Sequence, residues 1–474
     1  MKTCLTESTK ISRRSFLQAL GALTLSGSLA ACGGTGKAKS DRLAAGSLAY
    51  TPDEVVTVEF SDGGITVSPE DAAGLAVEGT ALSVSGAGVY ALSGRCADGS
   101  VKVEAQTEDV VLLLDGLTLT SADTAPIVCG ESTGVTIAVV DGTENTLTDS
   151  EANDPDNAAD NENAEKAVVK CKDGSQVVLC GGGALTVNAL GKNGIKSGTA
   201  LDDRDASLTI RELTLNIEAL VNDAINAEQR LKVESGNLTI AAGEDAIHCD
   251  MELHIGAEGT TGPAITVSTC GEGLEGAVLN IYSGNMDITS TDDCLNAANS
   301  DLGDYAFEIN ISGGTIKAYS SEGDGFDSNG TLTITGGDIS VWTANAADNQ
   351  PLDADGRITI SGGTVLAAGG SAGMGFSISA SQPCVTFGGG RDSSLSLAGG
   401  EAFSIADESG KSVLDSTALC DAAFLFYSSP ALTAEGRYSV QPTVTATAKT
   451  GEADTRFGGN GGPGGSGGQR PDGI

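Results

Sequence analysis

A four-residue phrase that recurs seven times between Gly191 and Gly356 constrains the fold of this chain more than any other feature. Each copy has an acidic or amide residue first, a small residue or proline second and a large apolar residue third. The copies are Asn193-Gly-Ile-Lys196, Asp223-Ala-Ile-Asn226, Asp245-Ala-Ile-His248, Glu272-Gly-Leu-Glu275, Asp293-Cys-Leu-Asn296, Asp324-Gly-Phe-Asp327 and Gln350-Pro-Leu-Asp353. Their starting positions are 30, 22, 27, 21, 31 and 26 residues apart. Periods of this length are typical of solenoids and propellers.

Short segments with alternating apolar residues separate the copies, and small residues precede them. Examples are Gly314-Thr-Ile-Lys-Ala and Gly337-Asp-Ile-Ser-Val. Such alternation indicates half-buried strands. One repeat therefore holds two or three short strands and no segment of helix length, which predicts an all-β fold with a parallel β-helix.

The domain organisation follows from where the repeat begins and stops. We predict a parallel β-helix over residues 51–370. Short strands without the acidic phrase indicate a small all-β cap over residues 371–448. Glycine dominates residues 449–474, which predicts a disordered tail. The acidic, asparagine-rich stretch 149–166 lacks apolar periodicity and is interpreted as a solvated loop.

The N-terminus has the pattern of an export signal. Ser12-Arg13-Arg14-Ser15-Phe16-Leu17 precedes an apolar run, which predicts a twin-arginine signal peptide over residues 1–31. Leu29-Ala-Ala-Cys32 resembles the lipobox of bacterial lipoproteins, so Cys32 would carry the lipid and residues 32–50 would form a tether. The alternative is a plain cleaved signal with a chance cysteine. We expect an exported protein anchored to the membrane or cell surface through Cys32.

Charge and cysteine content narrow the possible partners. The formal net charge is −38, which argues against a nucleic-acid partner and indicates either divalent cations or simply solubility. Nine of the eleven cysteines follow Cys32. This odd number, with several cysteines in repeat positions, favours buried thiols over a disulfide framework. We expect a monomer.

The phrase also predicts a metal site. Adjacent strands lie about 4.8 Å apart, so equivalent residues of successive copies form columns. Carboxylates at that spacing repel unless they are protonated or share a cation, and calcium binds oxygen ligands. His248 falls in the same column and is interpreted as a spacer among acids. The alternative is a series of solvated turns that use Asp and Asn. The predicted calcium ligands are Asp245, Glu272, Glu275, Asp292, Asp293, Asn296, Asp324 and Asp327.

A second candidate site consists of Lys317, Tyr319 and Trp342. Alternation along the strands directs these side chains outward and places the two rings on adjacent strands. Aromatic rings beside a cation suit a sugar with a carboxylate. Alternatively, the loop Ala344–Gln350 covers both rings.

Several longer phrases resemble one family. They are Asp115-Gly-Leu-Thr-Leu, Gly142-Thr-Glu-Asn-Thr-Leu-Thr-Asp149, Asp293-Cys-Leu-Asn-Ala-Ala-Asn-Ser300 and Gly323-Asp-Gly-Phe-Asp-Ser-Asn-Gly-Thr-Leu-Thr-Ile-Thr-Gly-Gly337. Together they resemble the bacterial carbohydrate-binding domain-containing proteins. The resemblance covers about residues 55–450 and implies a right-handed parallel β-helix related to polysaccharide lyase family 9, with bound calcium and association with cellulose and polygalacturonate.

The resemblance also bears on individual residues. Asp292-Asp293-Cys-Leu-Asn296 is similar to the Asp-Asp-x-x-Asp calcium loop of those lyases, with asparagine at the last position. Ala224, Ala246 and Cys294 stand where the family repeat has glycine, and Gln350 stands where it has an acid.

Three functions remain open from the sequence. We favour a calcium-binding protein that binds polysaccharide without cleaving it. The first alternative is a calcium-dependent pectate-type lyase, which needs a base such as Lys232, Lys317 or Arg357. The second alternative is a structural surface adhesin with a protein partner.

Overall fold

The computed structural model describes residues 43–303, 305–344, 349–369, 377–388 and 395–454. They belong to one compact unit that begins at Asp41. The predicted signal peptide, Cys32, most of the tether and the tail from residue 455 lie outside the described residues, so these assignments remain predictions.

The described residues form forty strands and two 3₁₀ helices of three residues each, Pro52–Glu54 and Glu151–Asn153, which confirms an all-β fold. None of the described helices is long or apolar enough to cross a membrane. The first twenty strands are β1 (Leu43–Ala45), β2 (Leu48–Tyr50), β3 (Val55–Ser61), β4 (Gly64–Ser68), β5 (Leu75–Glu78), β6 (Ala81–Val84), β7 (Gly88–Cys96), β8 (Ser100–Val103), β9 (Val110–Thr120), β10 (Ile127–Cys129), β11 (Gly134–Val139), β12 (Glu144–Thr148), β13 (Ala167–Cys171), β14 (Gln176–Gly181), β15 (Ala184–Asn188), β16 (Asn193–Ser197), β17 (Ser207–Ile210), β18 (Thr214–Ala219), β19 (Ile225–Ala227) and β20 (Arg230–Val233). The remaining twenty are β21 (Asn237–Ala242), β22 (Ile247–Ile255), β23 (Ala264–Thr269), β24 (Leu274–Ile281), β25 (Asn285–Ser290), β26 (Leu295–Ala297), β27 (Glu308–Ile311), β28 (Thr315–Ser320), β29 (Phe326–Ser328), β30 (Thr331–Ile334), β31 (Asp338–Thr343), β32 (Ile358–Ile360), β33 (Thr364–Gly369), β34 (Ser377–Gly388), β35 (Ala402–Asp407), β36 (Ser412–Thr417), β37 (Phe424–Ser428), β38 (Arg437–Gln441), β39 (Val444–Thr447) and β40 (Lys449–Asp454).

Thirty-four of these strands form one sheet in which most pairings are parallel. The pairings trace three ladders, and each ladder takes one strand or part of a strand from every repeat. The first ladder is β6-β8-β10-β13-β16-β19-β22-β24-β26-β29. The second is β3-β7-β9-β11-β14-β17-β20-β22-β24-β27-β30-β32-β34. The third is β9-β12-β15-β18-β21-β23-β25-β28-β31-β33.

The apolar third residue of every phrase is buried in one continuous hydrophobic core. These residues have 0% exposure, and they are Ile195, Ile225, Ile247, Leu274, Leu295, Phe326 and Leu352. Burial of each side chain removes apolar surface from water, and a fully buried side chain of this size stabilises the fold by about 1.5–3 kcal/mol. The alternation predicted for the third ladder is also present, because Ile316 and Ile339 are buried partners in adjacent strands.

The N-terminal boundary differs from the prediction, because residues 43–50 form an antiparallel hairpin and not a tether. Leu43, Leu48 and Tyr50 pack against buried residues of the second ladder, among them Leu113 and Ala138. The hairpin removes this apolar patch from water, which gives these eight residues a fixed position.

The predicted solvated loop at 149–166 is also partly buried. Asn153 has 0% exposure and Asp149 has 1%. The amide of Asn153 donates to the Asp149 carboxylate at 2.9 Å and to the carbonyl of Ala167 at 2.9 Å. Side-chain hydrogen bonds of this kind fold a polar segment that has no apolar periodicity.

The C-terminal strands extend the large sheet and add a second one. β37 and β40 pair antiparallel with β34, so the large sheet continues beyond residue 370. The strand β40 begins at residue 449, where the sequence predicted a disordered tail. β36, β35, β38 and β39 form a separate four-stranded antiparallel sheet.

The cysteines of the described chain are free, and eight of the nine are buried, as predicted. Burial raises the pKa of the Cys249 thiol to about 11, which keeps it protonated at neutral pH.

Candidate functional site

The fourth residues of successive phrases pair directly with one another in the first ladder. The register joins Lys196 to Asn226, then His248, Glu275, Asn296 and Asp327. The main-chain N–H of the second residue of each phrase donates to the carbonyl of the first residue of the next phrase, from Gly194 to Asp223 through to Gly325 to Gln350, which stacks the first residues in the same order. The predicted columns are therefore confirmed. We call the first and fourth residues of the phrases from Asp223 to Asp353 the acidic strip.

His248 lies at the centre of the first part of the acidic strip. Its Nδ1 is 3.0 Å from Asp245 Oδ2 and 2.5 Å from Glu275 Oε2, and its Nε2 is 2.8 Å from Asp250 Oδ1. We call these four residues the histidine cluster. Burial opposes a charge on the ring, but the hydrogen bonds to the three carboxylates outweigh it and raise the pKa of His248 to about 12. The imidazolium therefore supplies a cation to these acids.

A second group of carboxylates lies further along the acidic strip. One oxygen from each of Asp324, Asp327 and Asp353 lies within 4.8 Å of the others. We call these three residues the aspartate cluster. Each side chain is only partly buried. Asp324 accepts a hydrogen bond from the main-chain N–H of Gln350, which fixes its carboxylate in the strip.

Acids in and beside the aspartate cluster bind protons more tightly than usual. Burial is the largest cause, and repulsion from neighbouring carboxylates adds to it. The pKa of Asp324 is raised to about 7 and that of Asp327 to about 6. The pKa of Asp293 is raised to about 8, and that of Glu272, which lies nearer Glu275 and Asp245, is also raised to about 8. At neutral pH this part of the strip favours either a proton or a bound cation.

Two unpaired oxygens lie in the same part of the strip. Among the described residues, the buried side-chain atoms without a hydrogen-bond partner are Asn296 Oδ1, Thr343 Oγ1 and Gln350 Oε1. Asn296 is 8% exposed and Gln350 is 2% exposed. A buried unpaired acceptor costs about 1–3 kcal/mol, whereas amide and carboxylate oxygens are the ligands that calcium prefers. The residues present therefore fit a calcium ion.

The predicted ligands divide between these two parts of the strip. Asp245 and Glu275 contact His248 in the histidine cluster. Asp324 and Asp327 lie in the part of the strip that holds the unpaired oxygens of Asn296 and Gln350, and Asp293 lies close enough to both aspartates for their charges to raise its pKa. The amide of Asn296 donates to Glu272 at 2.9 Å. Asp292 is exposed, and a side chain at Gly323 would collide with the carboxylates of both Asp292 and Asp293.

Sequence reasoning missed Gln350 and Asp353. They are the first and fourth residues of the seventh phrase, so the repeat itself contained the signal. Glutamine replaces the acid at the first position of that copy, yet the register places Asp353 beside Asp327.

The predicted pair of exposed rings is wrong for Trp342, which has 0% exposure. Its indole packs edge-on against Phe403 of the four-stranded sheet, with ring centroids 6.1 Å apart and an interplanar angle of 67°. Its N–H donates to Ser340 Oγ at 2.9 Å. A large apolar surface is removed from water where the two sheets meet, so this ring contributes to the core. The C-terminal sheet covers it, and residues 345–348 of the loop predicted to do so lie outside the described residues.

Tyr319 and Lys317 remain near the surface of the third ladder. Tyr319 pairs with Trp342 as predicted and is partly buried. Lys317 forms a half-exposed ion pair with Asp287 at 3.1 Å. The cavity beside them, which Leu419 also lines, has a volume of about 170 Å³, less than the ~300–1,000 Å³ typical of ligand sites. The structure does not bring these residues into the first ladder, where the acidic strip lies.

Comparison with known proteins identifies the family. The model of the family described as carbohydrate-binding domain-containing protein matches residues 78–373, more than half of the 474-residue chain. The chain therefore belongs to the carbohydrate-binding domain-containing protein family, which confirms the resemblance found in the sequence.

Two similar proteins add detail. A carbohydrate-binding domain-containing protein of Acetivibrio thermocellus is 29% identical over 184 residues, which is 39% of this chain and 60% of that protein. The chain thus covers less than two thirds of that relative. A solved structure of a polysaccharide lyase-like protein from C. thermocellum, a gadolinium derivative, is 22% identical and covers 65% of this chain and 93% of that one, with a TM-score of 0.32.

Proposed function

We propose that this protein is a calcium-binding, right-handed parallel β-helix that binds polysaccharide without cleaving it. Membership of the carbohydrate-binding family supports a polysaccharide partner. The observation that carries the calcium proposal is the aspartate cluster, together with the unpaired buried oxygens of Asn296 and Gln350.

The three parallel ladders support the β-helix. Each repeat contributes to all three ladders in turn, so one repeat would make one coil. Connections between parallel strands of a sheet are almost always right-handed, because a right-twisted strand packs back onto the sheet only that way. The buried third residue of each phrase would then lie inside the coil.

The aspartate cluster would hold the ion through Asp324, Asp327 and Asp353, with Asn296 and Gln350 supplying amide oxygens. Bound calcium would neutralise the carboxylates and could accept oxygens of a glycan in its remaining positions. Neutralisation stabilises the folded chain over the unfolded one, because the unfolded chain separates these acids. The protein's own contribution is the register of the first ladder, which fixes their spacing.

Binding without cleavage is supported by the position of the candidate bases. Lys232 lies in the second ladder and Lys317 in the third, where Lys317 is paired with Asp287. Arg357 precedes β32 of the second ladder. A lyase needs its base within hydrogen-bond reach of the substrate proton, whereas the acidic strip is in the first ladder.

Export and anchoring complete the proposal, and the twin arginines and the lipobox-like sequence at Cys32 support them. Cys32→Ala should release the protein into the medium, and lysine at both Arg13 and Arg14 should retain it in the cytoplasm. Labelled palmitate that fails to join the wild-type chain would exclude lipidation.

A glycan array tests the function. Wild-type protein is applied with calcium and with chelator. The double variant Asp324→Asn/Asp327→Asn and the control Asp287→Asn are applied in the same way. Polysaccharide binding by wild type and control supports the proposal. Ultraviolet absorbance from an unsaturated uronide during incubation with polygalacturonate would instead establish a lyase. The absence of binding to every glycan would favour the adhesin.

A further inference from the structure

The two histidines of the chain lie on one strand but in different ladders. His248 and His254 both belong to β22, whose register shifts between Cys249 and Glu252. His248 pairs with Asn226 in the first ladder, whereas His254 pairs with Lys232 in the second. The bulge thus separates the acidic strip from a second surface around His254.

A groove lies on this second surface where β20, β22 and β24 end. The rings of His254 and Tyr282 are nearly parallel, with an interplanar angle of 7° and centroids 6.1 Å apart. The groove has a volume of about 390 Å³, within the range of ligand sites. Its lining residues are Lys232, Glu234, His254, Gly256, Ala257, Glu258 and Tyr282.

Both rings are held in place by their surroundings. His254 lies between Leu253 and Ile255, which are both 0% exposed, so its backbone is anchored in the core. His254 Nδ1 is 3.3 Å from the Tyr282 hydroxyl, and Nε2 is 3.3 Å from Glu252 Oε2. Glu252 also binds Arg230 at 3.2 Å, so the imidazole is oriented from two sides.

The wall of the groove is also built rather than loose. Ser283 is 7% exposed, and its Oγ accepts a hydrogen bond from the N–H of Ala257 at 3.1 Å. The hydroxyl of Thr260 lies 3.0 Å from the same oxygen. Gly256 has a φ of +69°, and a side chain there would collide with Ser283. The loop after β22 is therefore fixed beside the Tyr282 ring.

We propose that this groove binds a hexopyranose unit of a neutral polysaccharide. The inference rests on the proposed polysaccharide binding and adds its location and sugar class. One face of a pyranose ring presents C–H groups, which pack on the apolar face of Tyr282. The exposed carboxylates of Glu234 and Glu258 accept hydrogen bonds from sugar hydroxyls and repel the carboxylate of a uronic acid. Lys232 also lines the groove, but its single positive charge does not outweigh the two carboxylates.

The two histidines give the experiment its readout. The full chain, labelled with ¹³C at histidine alone, gives two imidazole Cε1–H signals, which His248→Gln assigns. Calcium is added first, followed by cellohexaose or a galacturonate oligosaccharide of equal length. Calcium should leave both signals nearly unchanged, because the aspartate cluster contains neither histidine, and cellohexaose should shift the His254 signal alone.

Variants at Tyr282 give the second measurement. Tyr282→Ala should weaken cellohexaose binding roughly tenfold or more, as expected for a central aromatic contact. Tyr282→Phe keeps the ring and should bind within about threefold of wild type. Tyr319→Ala, on the third ladder, should bind like wild type.

Each alternative outcome is distinct. A cellohexaose shift at His248 alone, or a galacturonate shift at His254 without a cellohexaose shift, would overturn the inference and leave polysaccharide binding standing. Wild-type affinity in a folded Tyr282→Ala variant would do the same. Failure of a folded wild-type chain to bind any glycan, with or without calcium, would instead overturn the polysaccharide function itself.

Discussion

The histidine cluster and the aspartate cluster have the same position in the repeat but a different source of positive charge. In the first, His248 contacts Asp245 and Glu275 and neutralises them. In the second, the equivalent fourth residue is Asp327. Burial raises the pKa of Asp245 as well as that of Asp324, but the hydrogen bond from His248 opposes the rise at Asp245, whereas neighbouring carboxylates add to the rise at Asp324 and Asp327. One residue at the fourth position therefore decides whether a copy of the phrase carries its own cation or favours an external one.

The same contrast extends along the ladder. Below the histidine cluster, Lys196 donates to Asn226 at 2.8 Å and pairs with Glu228 at 3.2 Å. Beyond it, Asn296 donates to Glu272 and leaves its own oxygen unpaired. The fourth position thus changes from basic to acidic along one ladder, and calcium is expected only at the acidic end.

Replacing His248 by glutamine should have the largest effect. The variant leaves Asp245 and Glu275 without their cation, and loss of one partner from a buried charge pair costs about 3 kcal/mol of unfolding free energy. Calcium should restore part of this loss, because the vacated cluster then resembles the aspartate cluster. Chemical denaturation with and without calcium measures both effects. His254→Gln is the control and should change stability by less than about 0.5 kcal/mol. Equal stability of the two variants would remove the distinction between the clusters.

Calcium should stabilise the wild type through the aspartate cluster. At a free concentration one hundred times Kd, binding raises the unfolding free energy by about 2.7 kcal/mol. The double variant Asp324→Asn/Asp327→Asn should lose this response, and without calcium it should be more stable than wild type, because two repelling acids are gone. Asp287→Asn, in the third ladder, should respond like wild type. A melting temperature unchanged by chelator in the wild type would contradict calcium binding.

Without calcium, stability should fall as the pH rises from 5 to 8. The folded pKa of Asp324 is about 7 and that of Asp293 about 8, above the value of about 3.9 for unfolded aspartate. The folded chain therefore holds more protons than the unfolded chain in this window. For each extra proton held, the unfolding free energy falls by about 1.4 kcal/mol per pH unit.

His248 adds a fall of the same sign above about pH 6.5, since its folded pKa is also raised. The Asp324→Asn/Asp327→Asn variant separates the two contributions, because it retains only the part that comes from His248 and the remaining acids. Saturating calcium should flatten the wild-type profile. A calcium-free unfolding free energy that rises with pH would show that the pKa values of these acids are not raised in the folded state.

The smallest effect should come from matched changes at Asn226 and Asn296. Both amides donate to an acid of the strip, at 2.7 and 2.9 Å, so Asn→Asp removes a donor and adds a charge in each. Lys196 offsets the new charge at Asn226, so Asn296→Asp should be less stable without calcium by about 1 kcal/mol. Calorimetry should show tighter calcium binding for Asn296→Asp alone. Equal behaviour of the two variants would mean that the basic end of the ladder does not matter.

Much of the fold could be predicted from the repeat. The all-β class, the columns of acids and the burial of the third residue of each phrase follow from the periodicity. A recurring phrase in paired strands must place like residues side by side. The burial of Ile225 and the pairing of Asn296 with Asp327 were therefore accessible without coordinates.

Residues outside the repeat were harder to place. The hairpin at 43–50 and the strand β40 were predicted as a tether and a tail, because neither contains the phrase and the residues that each packs against or pairs with in the large sheet are distant in sequence. The same holds for Asn153, whose buried hydrogen bonds give no periodic signal.

The sequence by itself determined which residues share a ladder, because strand pairing converts a period along the chain into neighbours in space. Only the tertiary structure decided what covers each ladder. Trp342 alternates outward as its strand requires, yet the four-stranded sheet buries it against Phe403. His254 and Tyr282 come together only because β22 bulges between ladders. Alternation fixes the direction of a side chain relative to its own strand, whereas exposure depends on segments that pack there from elsewhere in the chain.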